Sequence, residues 1–456
     1  MRMRMPRTKV LAAAAGALLW VGILPASARA QAPAAPVTLT MDEAVLRAVE
    51  HAPRLAEARE RETAATTSVT ALRALGYPTA SVSAQYLRSS HVYEFSVPDG
   101  TGGTRVLFPD FPNMYKARAE VSMPIYSFGR ISSNVAAAES DVHAAAADRL
   151  TVEADVRLDA MRAYWLLATL REAAKVLEES LARTDAQVSD VRARVDTGFL
   201  PPNDLLSAQA QRARQQVRLL QARNDEAIAE LDLARIIGLP GGTPIQIGSP
   251  FDQALPGATT ATAAPVDDLV GRAIAHRSER AGLTARGDGL RESAKATIAN
   301  LKPYLLSSAF VEPARPNIRF LPPEDVWRLS WAFDVRFVWP LFDSGRTKAQ
   351  AAGLSAQARA VDARRTEFDD LISLEIRQRV LEIQSGKAAI AASDDAVTAA
   401  AEARRVLDER FRAGVATSTE VLDAQVALLE AQLERTRLSA GLRLSEARLL
   451  RALGER

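Results

Sequence analysis

The chain has 456 residues, with 57 Lys and Arg, 55 Asp and Glu, four His and no Cys. The lack of Cys excludes disulfides, thiol nucleophiles, thiolate metal sites and a lipid anchor on an N-terminal Cys. Five basic residues lie among the first thirty, so the remainder holds 52 basic against 55 acidic side chains and gives no electrostatic support for nucleic-acid binding.

Residues 1–30 are expected to be a signal peptide and not part of the fold. A basic start, an apolar run over 10–24 and the small-x-small pattern Ala28-Arg29-Ala30 are typical of such a segment. The apolar run is shorter than the roughly 20 residues that a spanning helix needs. No later apolar run has transmembrane length, which predicts an exported chain that is periplasmic, extracellular or inserted as a β-barrel.

The chain contains an internal duplication. The segment PIYSFGR at 124–130 recurs as PLFDSGR at 340–346, and the same offset relates Gly198 to Gly414. A match of this length at one offset indicates two copies of one structural unit. The predicted divisions are a first repeat over 31–247, a linker over 248–265 and a second repeat over 266–456.

Each repeat is predicted to hold a helix, two strands, a long helix and a returning helix. The helices expected are 41–75, 132–197 and 203–237 in the first repeat, and 347–413 and 418–453 in the second. Leu158, Met161, Trp165 and Ala168 follow the 3-4-3 spacing of a coiled-coil seam. Helix 132–197 would be about 100 Å long and each shorter helix about 50 Å. The predicted fold is therefore mainly α, a long antiparallel coiled-coil bundle in which two short helices stacked end to end match one long helix.

Four strands are predicted, at 79–86, 115–125, near 304–311 and at 327–339. The fourth alternates most clearly, with Trp327, Trp331 and Trp339 on one face and charged residues on the other. Each strand has about the 9–11 residues that a tilted membrane strand needs. Together with Tyr115, the three tryptophans are predicted to form an aromatic girdle at the membrane interface, and the charged face is predicted to line a watery lumen.

Four strands cannot close a barrel, because the smallest membrane barrels have eight, and open strand edges are not tolerated in lipid. Two chains would supply eight strands, but side chains fill the lumen of so small a barrel. Three chains would supply twelve strands and leave a pore. The loops 91–113 and 312–325 are then predicted to lie outside the cell.

With these features the chain resembles the TolC-type outer-membrane efflux family over essentially its whole mature length. Both strand exits read Pro-x-aromatic-x-x-Gly-Arg, with Pro124 and Gly129 in the first and Pro340 and Gly345 in the second. The resemblance implies a homotrimer in the outer membrane of a Gram-negative bacterium, with a 12-stranded barrel and a helical tunnel (α-barrel) across the periplasm. It further implies a periplasmic adaptor and an inner-membrane pump of the RND or ABC type as partners. No cofactor or metal is predicted, because the four His are scattered and the chain has no Cys.

The resemblance also extends to both helix hairpins, where Gly is followed after five residues by an acid, a hydrophobic residue and Leu-x-Ala-Gln. Gly198 and Gly414 would end the long helices, and the resemblance implies that they contact the adaptor together with Phe411. Such tips alone are also compatible with ordinary helix hairpins. Ala416 stands where some members place a basic residue that ties neighbouring helices closed, so the sequence does not predict how the gate is locked.

Glu420 and Asp423 lie one helical turn apart near the second tip, and Asp204 occupies the matching place near the first. The resemblance implies that such acids line the periplasmic entrance, where three copies would form anionic rings that favour cations. The alternative is that these acids simply favour the N-terminus of a solvated helix.

The predicted function is an exit duct for small molecules such as drugs or other toxic compounds, with a type I protein-secretion duct as an alternative. A periplasmic coiled-coil adaptor would explain the helices but not the duplication or the Trp-rich strand. An enzyme is not predicted, because the glycine-rich Asp99–Gly103 segment lies in a loop and not between a strand and a helix.

Overall fold

The computed structural model describes residues 36–248, 255 and 264–454. The expected signal peptide and most of the expected linker lie outside these residues. The helices are α1 (Met41–His51), α2 (Pro53–Ala74), α3 (Arg130–Asp196), α4 (Pro202–Ile236), α5 (Val266–His276), α6 (Ser278–Ala299), α7 (Arg346–Arg412) and α8 (Ser418–Leu453). The strands are β1 (Val37–Leu39), β2 (Thr79–Arg88), β3 (Phe95–Pro98), β4 (Thr104–Phe108), β5 (Asn113–Tyr126), β6 (Ile245–Ile247), β7 (Tyr304–Arg315) and β8 (Arg328–Val338). None of these helices is both long enough and apolar enough to cross a membrane.

Both halves follow one plan. The order α1-α2-β2-β5-α3-α4 in the first half corresponds to α5-α6-β7-β8-α7-α8 in the second. The long helices α3 and α7 have 67 residues each, which is about 100 Å of helix at 1.5 Å per residue. Their ends lie within one or two residues of those expected from the sequence, which is the ordinary uncertainty of helix boundaries.

Residues 41–75 form two helices and not the single helix expected from the sequence. The chain breaks at Ala52, whose φ of −69° and ψ of 113° are extended and not helical. Pro53 explains the break, because proline has no N–H for the helix ladder and disfavours helical backbone in the preceding residue. The second repeat breaks at the corresponding place, at Arg277 with φ −67° and ψ 117°, although no proline follows it.

One antiparallel sheet contains four strands in the order β2-β5-β7-β8, so β2 and β8 are its edges. The third strand, expected near 304–311, continues to Arg315, and the chain between β7 and β8 is therefore shorter than the loop expected over 312–325. The segment expected to be the loop 91–113 contains a hairpin of β3 and β4. The first difference arises because strand pairing in β7 extends beyond the residues that alternate in the sequence, whereas the hairpin is a separate two-stranded sheet.

The helices lie side by side in rows. On one side of the middle of the molecule the row is α2-α3-α6-α7, and on the other it is α4-α3-α8-α7. Ion pairs join neighbours in both rows, as between Arg149 of α3 and Glu62 of α2 at 2.7 Å and between Arg223 of α4 and Glu178 of α3 at 2.5 Å. The rows therefore end at α2 and α4 on one edge and at α7 on the other.

The hydrophobic core lies in a belt where the short helices meet end to end. Around the middle of α3, the belt gathers α1, the end of α4 and a parallel pair of β1 and β6 that the sequence did not predict. Tyr164, Leu167, Leu233 and Ile245 are there at most 1% exposed, and the Tyr164 hydroxyl donates to the Leu39 carbonyl at 3.1 Å. A second cluster packs α5 and the end of α8 around the middle of α7.

A buried ionic network crosses this belt. Arg277 is only 7% exposed and places its guanidinium 3.1 Å from Glu375 and 3.2 Å from Glu279. The guanidinium of Arg451 lies between two carboxylates, 2.6 Å from Glu279 and 2.7 Å from Asp155. Burial alone would raise the pKa of Glu279, but Arg451 and Arg277 outweigh burial and hold this pKa below its usual range. The network thus ties together α3, α6, α7 and α8.

A second buried polar group, the Thr184 layer, joins α3, α4 and α8 between the belt and the hairpin tips. It consists of Thr184, Gln215 and Gln425, which are 0%, 1% and 6% exposed. The Thr184 hydroxyl lies 2.7 Å from Gln215 Oε1 and 3.4 Å from Gln425 Oε1. A buried polar layer of this kind fixes the register between helices.

Candidate transport path: the hairpin tips and the membrane sheet

Each long helix ends in the same backbone motif. Gly198 has a φ of +81° and Gly414 a φ of +78°, in the left-handed region that favours glycine. The N–H of Phe199 donates to the Arg194 carbonyl at 2.8 Å, and the N–H of Val415 donates to the Arg410 carbonyl at 2.9 Å. These bonds form the Schellman arrangement that terminates a helix. The glycines therefore set the length of the long helices, whatever else the tips contact.

The returning helices begin differently in the two repeats. Thr417 caps α8 in a capping box, because its hydroxyl accepts from the Glu420 N–H at 3.3 Å and its own N–H donates to the Glu420 carboxylate at 2.7 Å. These bonds with Thr417 hold the pKa of the Glu420 carboxyl below its usual range. In the first hairpin Pro201 precedes α4 and makes no side-chain cap. Glu420 thus has a structural task at the helix N-terminus and remains exposed and ionised.

The three acids assigned to the entrance lie at one end of the molecule. The starts of α4 and α8 both pack on the end of α3, where Ala208 and Leu422 share a cluster with Val188. Glu420 and Asp423 are exposed, whereas Asp204 is half-buried. The acids on α8 therefore point away from the packed face of their helix, as a lining of an aqueous entrance requires.

Phe411 is not available to an adaptor, contrary to the expectation from the sequence. It is 3% exposed and packs with Val191 and Val421. The guanidinium of Arg194 lies 4.4 Å from its ring centroid, and Arg194 Nη1 donates to the Phe411 carbonyl at 3.0 Å. Phe411 is buried because it sits on the side of α7 that faces the end of α3.

The exposed apolar residues at the tips are instead Phe199 and Val415, which are 83% and 65% exposed. Each directly follows a helix-terminating glycine, and the two are equivalent in the internal duplication. That equivalence is the signal by which the sequence could have identified them. Both hairpin tips thus expose one large apolar side chain to water.

The sheet presents one apolar face and one polar face. On β8 the side chains of Leu329, Trp331, Phe333, Val335 and Phe337 are all more than half exposed. On the opposite face, Arg118 contacts Glu312 at 2.7 Å and stacks 4.0 Å from the centroid of Phe310. An apolar outer face over a charged inner face is the pattern of a strand between lipid and water.

Aromatic residues mark both ends of the apolar face. At one end, the rings of Tyr86 and Tyr115 are 5.0 Å apart and those of Tyr115 and Trp327 are 6.3 Å apart. At the other end, Trp339 Nε1 donates to the Leu301 carbonyl at 3.2 Å. The twelve residue-to-residue steps from Trp327 to Trp339 span about 40 Å along a strand, or about 28 Å of depth at a 45° tilt. Trp331 lies between the two ends, so it belongs to the apolar band and not to either aromatic girdle.

The two strand exits share an unusual backbone. Gly129 and Gly345 have φ of +91° and +80°, and the residues before them, Phe128 and Ser344, are also left-handed at +48° and +59°. A register shift separates Pro124 from Tyr126 in β5, whereas Pro340 follows the end of β8. Two successive left-handed residues turn the chain sharply from strand to long helix.

Within the described ranges, no group of three or more His, Asp and Glu residues could hold a metal ion.

Comparison with known proteins gives a family. A model of the family "Outer membrane efflux protein" matches residues 45–239 and 275–455. The chain is 26% identical over 329 residues to the outer membrane efflux protein BepC of Brucella suis biovar 1, covering 71% of this chain and 68% of BepC. It is 27% identical over 425 residues to protein CyaE of Bordetella pertussis, covering 91% of this chain and 84% of CyaE.

Solved structures share the fold. The outer membrane protein VceC from Vibrio cholerae superposes with a TM-score of 0.74 at 20% identity, over 91% of this chain and 96% of VceC. The transmembrane channel protein CusC gives a TM-score of 0.76 at 15% identity, over 91% of this chain and 92% of CusC. The open state of MtrE from Neisseria gonorrhoeae gives 0.73 at 18% identity, over 91% and 89%. The chain therefore belongs to the outer membrane efflux protein family, as an outer-membrane protein with the TolC-like channel fold and a large periplasmic helical part.

Proposed function

We propose that three copies of the chain form one continuous exit duct through the outer membrane and the periplasm. The observation that carries the proposal is that the sheet and both helical rows are open on the same two sides. The first repeat supplies β2, α2 and α4 at one edge, and the second supplies β8 and α7 at the other. Joining unlike edges by rotation generates a closed ring. One rotation would thus close the barrel and the tunnel together.

The helix edges also carry uncovered apolar residues. On α4, five apolar residues are at least half exposed and lie in one narrow stripe along the helix. They are Leu206, Val217, Leu220, Ile228 and Leu231. On α7 the residues Leu371, Leu374 and Leu381 are also more than half exposed. An α4 stripe packed against the tip half of α7 of the next chain would remove the apolar residues of α4 from water. Three chains supply twelve strands, which is the smallest closure of this sheet that leaves a pore.

Within such a duct, the acids at the tips and the apolar tip residues take different tasks. Asp423 and Glu420 would form anionic rings at the periplasmic entrance, with Asp204 beside them. Phe199 and Val415, together with the turns at Gly198 and Gly414, would meet a periplasmic adaptor that couples the duct to an inner-membrane pump of the RND or ABC type. The proposed cargo is small molecules, such as drugs or other toxic compounds.

The proposal is tested by the size and shape of the particle extracted from outer membranes in detergent. The expected protein mass is three times that of one chain, and negative stain is expected to show a tapered projection of about 100 Å beyond the membrane part, because α3 and α7 have that length. A monomer that stays in the soluble fraction would contradict the duct and favour the adaptor reading of the helices.

Asp423→Asn is expected to reduce the preference of the channel for cations. Removing three charges around one constriction weakens the attraction for a passing cation by about 1 kcal/mol or more, which is about a fivefold change in the cation-to-anion permeability ratio. The measurement is the reversal potential of the trimer in planar bilayers under a salt gradient. Glu420→Gln should act in the same direction without unfolding the tip, because Gln also serves in a capping box.

The matched control is Glu60→Gln, which neutralises an exposed acid on α2 far from the tips. It is expected to leave the reversal potential unchanged. If Asp423→Asn and Glu60→Gln behave alike, the acids at the tip belong only to the helix N-terminus and do not line the entrance.

A further inference from the structure

The segment between β7 and β8 folds back onto the polar face of the sheet. Asn317 is 3% exposed, and its Nδ2 donates to the Arg328 carbonyl at 3.0 Å and to the Ser330 hydroxyl at 3.1 Å. Ser330 is 8% exposed and lies on the face of β8 opposite to Leu329 and Trp331. The segment 316–320 therefore covers the inner face of the sheet and does not extend outward from its end.

Arg319 is held over the same face. Its Nη1 donates to the Trp331 carbonyl at 2.7 Å, and its guanidinium lies 5.9 Å from the centroid of Phe310. Phe310 pairs in register with Glu120 and with Ala332, which both belong to the polar face. Since Arg118 stacks on the same ring at 4.0 Å, one aromatic ring carries two guanidinium groups, an arrangement that cation–π attraction stabilises.

The charges of this region do not cancel. Arg118 lies 2.7 Å from Glu312 and 3.7 Å from Glu120, and Arg328 lies 2.6 Å from Glu324. In the described part of the chain, however, no ion pair within 4.0 Å is formed by Arg319 or by Lys116, whose side chain lies on the same face. Both residues are exposed. Each chain thus contributes two cations, Lys116 and Arg319, that form no ion pair within 4.0 Å in the described residues.

We propose that residues 316–320, with Lys116 and Arg118, form an exit collar that binds multivalent anions inside the extracellular mouth of the duct. The proposal rests on the trimeric barrel argued above, because the polar face becomes the lumen only when the barrel closes. Lys116, Arg118 and Arg319 outnumber Glu120 and Glu312 by one charge per chain. Three copies then place six unpaired cations and a net surplus of three positive charges around one water-filled opening, where low-dielectric walls focus their field. The duct would have an acidic entrance and a basic exit, so a solute that carries phosphate or sulfate groups is retarded where it leaves.

The collar is tested by measuring how strongly an anion added to one side of the membrane blocks the current through single channels. Inositol hexakisphosphate added to the extracellular side is expected to block the wild-type current at lower concentrations than the same compound added to the periplasmic side. Arg319→Gln removes three charges and should weaken the extracellular block about tenfold at 0.1 M salt, with a further loss in the Lys116→Gln, Arg319→Gln double variant. The control is Arg105→Gln, which neutralises an exposed cation of the β3-β4 hairpin and should leave the block unchanged.

The position of the collar has its own test, because the chain contains no Cys. A charged, membrane-impermeant methanethiosulfonate is expected to lower the current through Arg319→Cys in up to three steps. Leu329→Cys, on the apolar face, should show no such steps. If the trimer conducts but neither the block nor the labelling depends on residue 319, the collar is wrong and the duct stands. If no conducting trimer forms at all, both are wrong.

Discussion

Phe333→Arg is expected to prevent the protein from accumulating in the outer membrane. Phe333 is 64% exposed on the apolar face and lies six residues from both Trp327 and Trp339, which mark the two ends of that face. An Arg at the midplane of the bilayer on the lipid side of a barrel strand costs about 2–4 kcal/mol. A trimer contains the substitution three times. The measurement is the amount of trimer recovered from purified outer membranes.

The neighbouring residue supplies the control. Ala332 lies on the opposite face of β8 and pairs with Phe310, so Ala332→Arg places the same side chain toward the proposed lumen. That face already carries Arg336, and the variant is expected to assemble at close to the wild-type level. Equal recovery of the two variants would show that the face with the tryptophans does not meet lipid.

Arg277→Met is expected to lower the thermal stability of the protein markedly. The substitution leaves Glu375 and Glu279 without the guanidinium that lies about 3 Å from each, and it removes the donor to the Ala452 carbonyl at 3.2 Å. Breaking one partner of a buried ion pair costs about 3–5 kcal/mol, and the partial exposure of both carboxylates places the expected loss near the lower end of that range. The measurement is the midpoint of thermal unfolding in detergent.

Arg405→Met is the matched comparison, because Arg405 also pairs with two glutamates, Glu402 and Glu409, at 2.6 Å each. Its side chain is 53% exposed, however, and exposed ion pairs contribute about 0–1 kcal/mol. Its unfolding midpoint should therefore stay near that of the wild type. If Arg277→Met is equally well tolerated, the belt is held by its apolar contacts alone.

Regular parts of the fold could be predicted because local signals repeat in the sequence. Left-handed glycines stop the long helices at 198 and 414, and strict alternation located β8 to within one residue at each end. Pro53 also encodes the break at Ala52. The helical spacing of apolar residues continues from α1 into α2, however, so the sequence pattern predicted a single helix. At Arg277 the same break has no proline, so only the tertiary structure reveals it.

Other features depend on contacts between distant segments. Phe411 looks like a tip residue by its position, yet Arg194, 217 residues away in the chain, covers it. Segment 316–320 has the composition of an external loop, but the side chain of Asn317 fastens it to β8. No periodicity in the sequence reports such contacts. The acids at 204, 420 and 423 were found from the resemblance, and their role as an entrance lining stays a prediction.

The Thr184 layer constrains which motions the hairpins can make. The Thr184 hydroxyl reaches the Gln215 and Gln425 amide oxygens, at 2.7 Å and 3.4 Å, only while α8 keeps its present height against α3 and α4. Sliding α8 by one helical turn, about 5.4 Å, would place buried amide oxygens opposite apolar side chains, and each unsatisfied polar group costs about 1–3 kcal/mol. A tilt about the layer breaks none of these contacts. We therefore expect the tunnel to widen at the hairpin tips by a rotation of the helices about the Thr184 layer. Axial sliding of α8 along α3 and α4 is not expected.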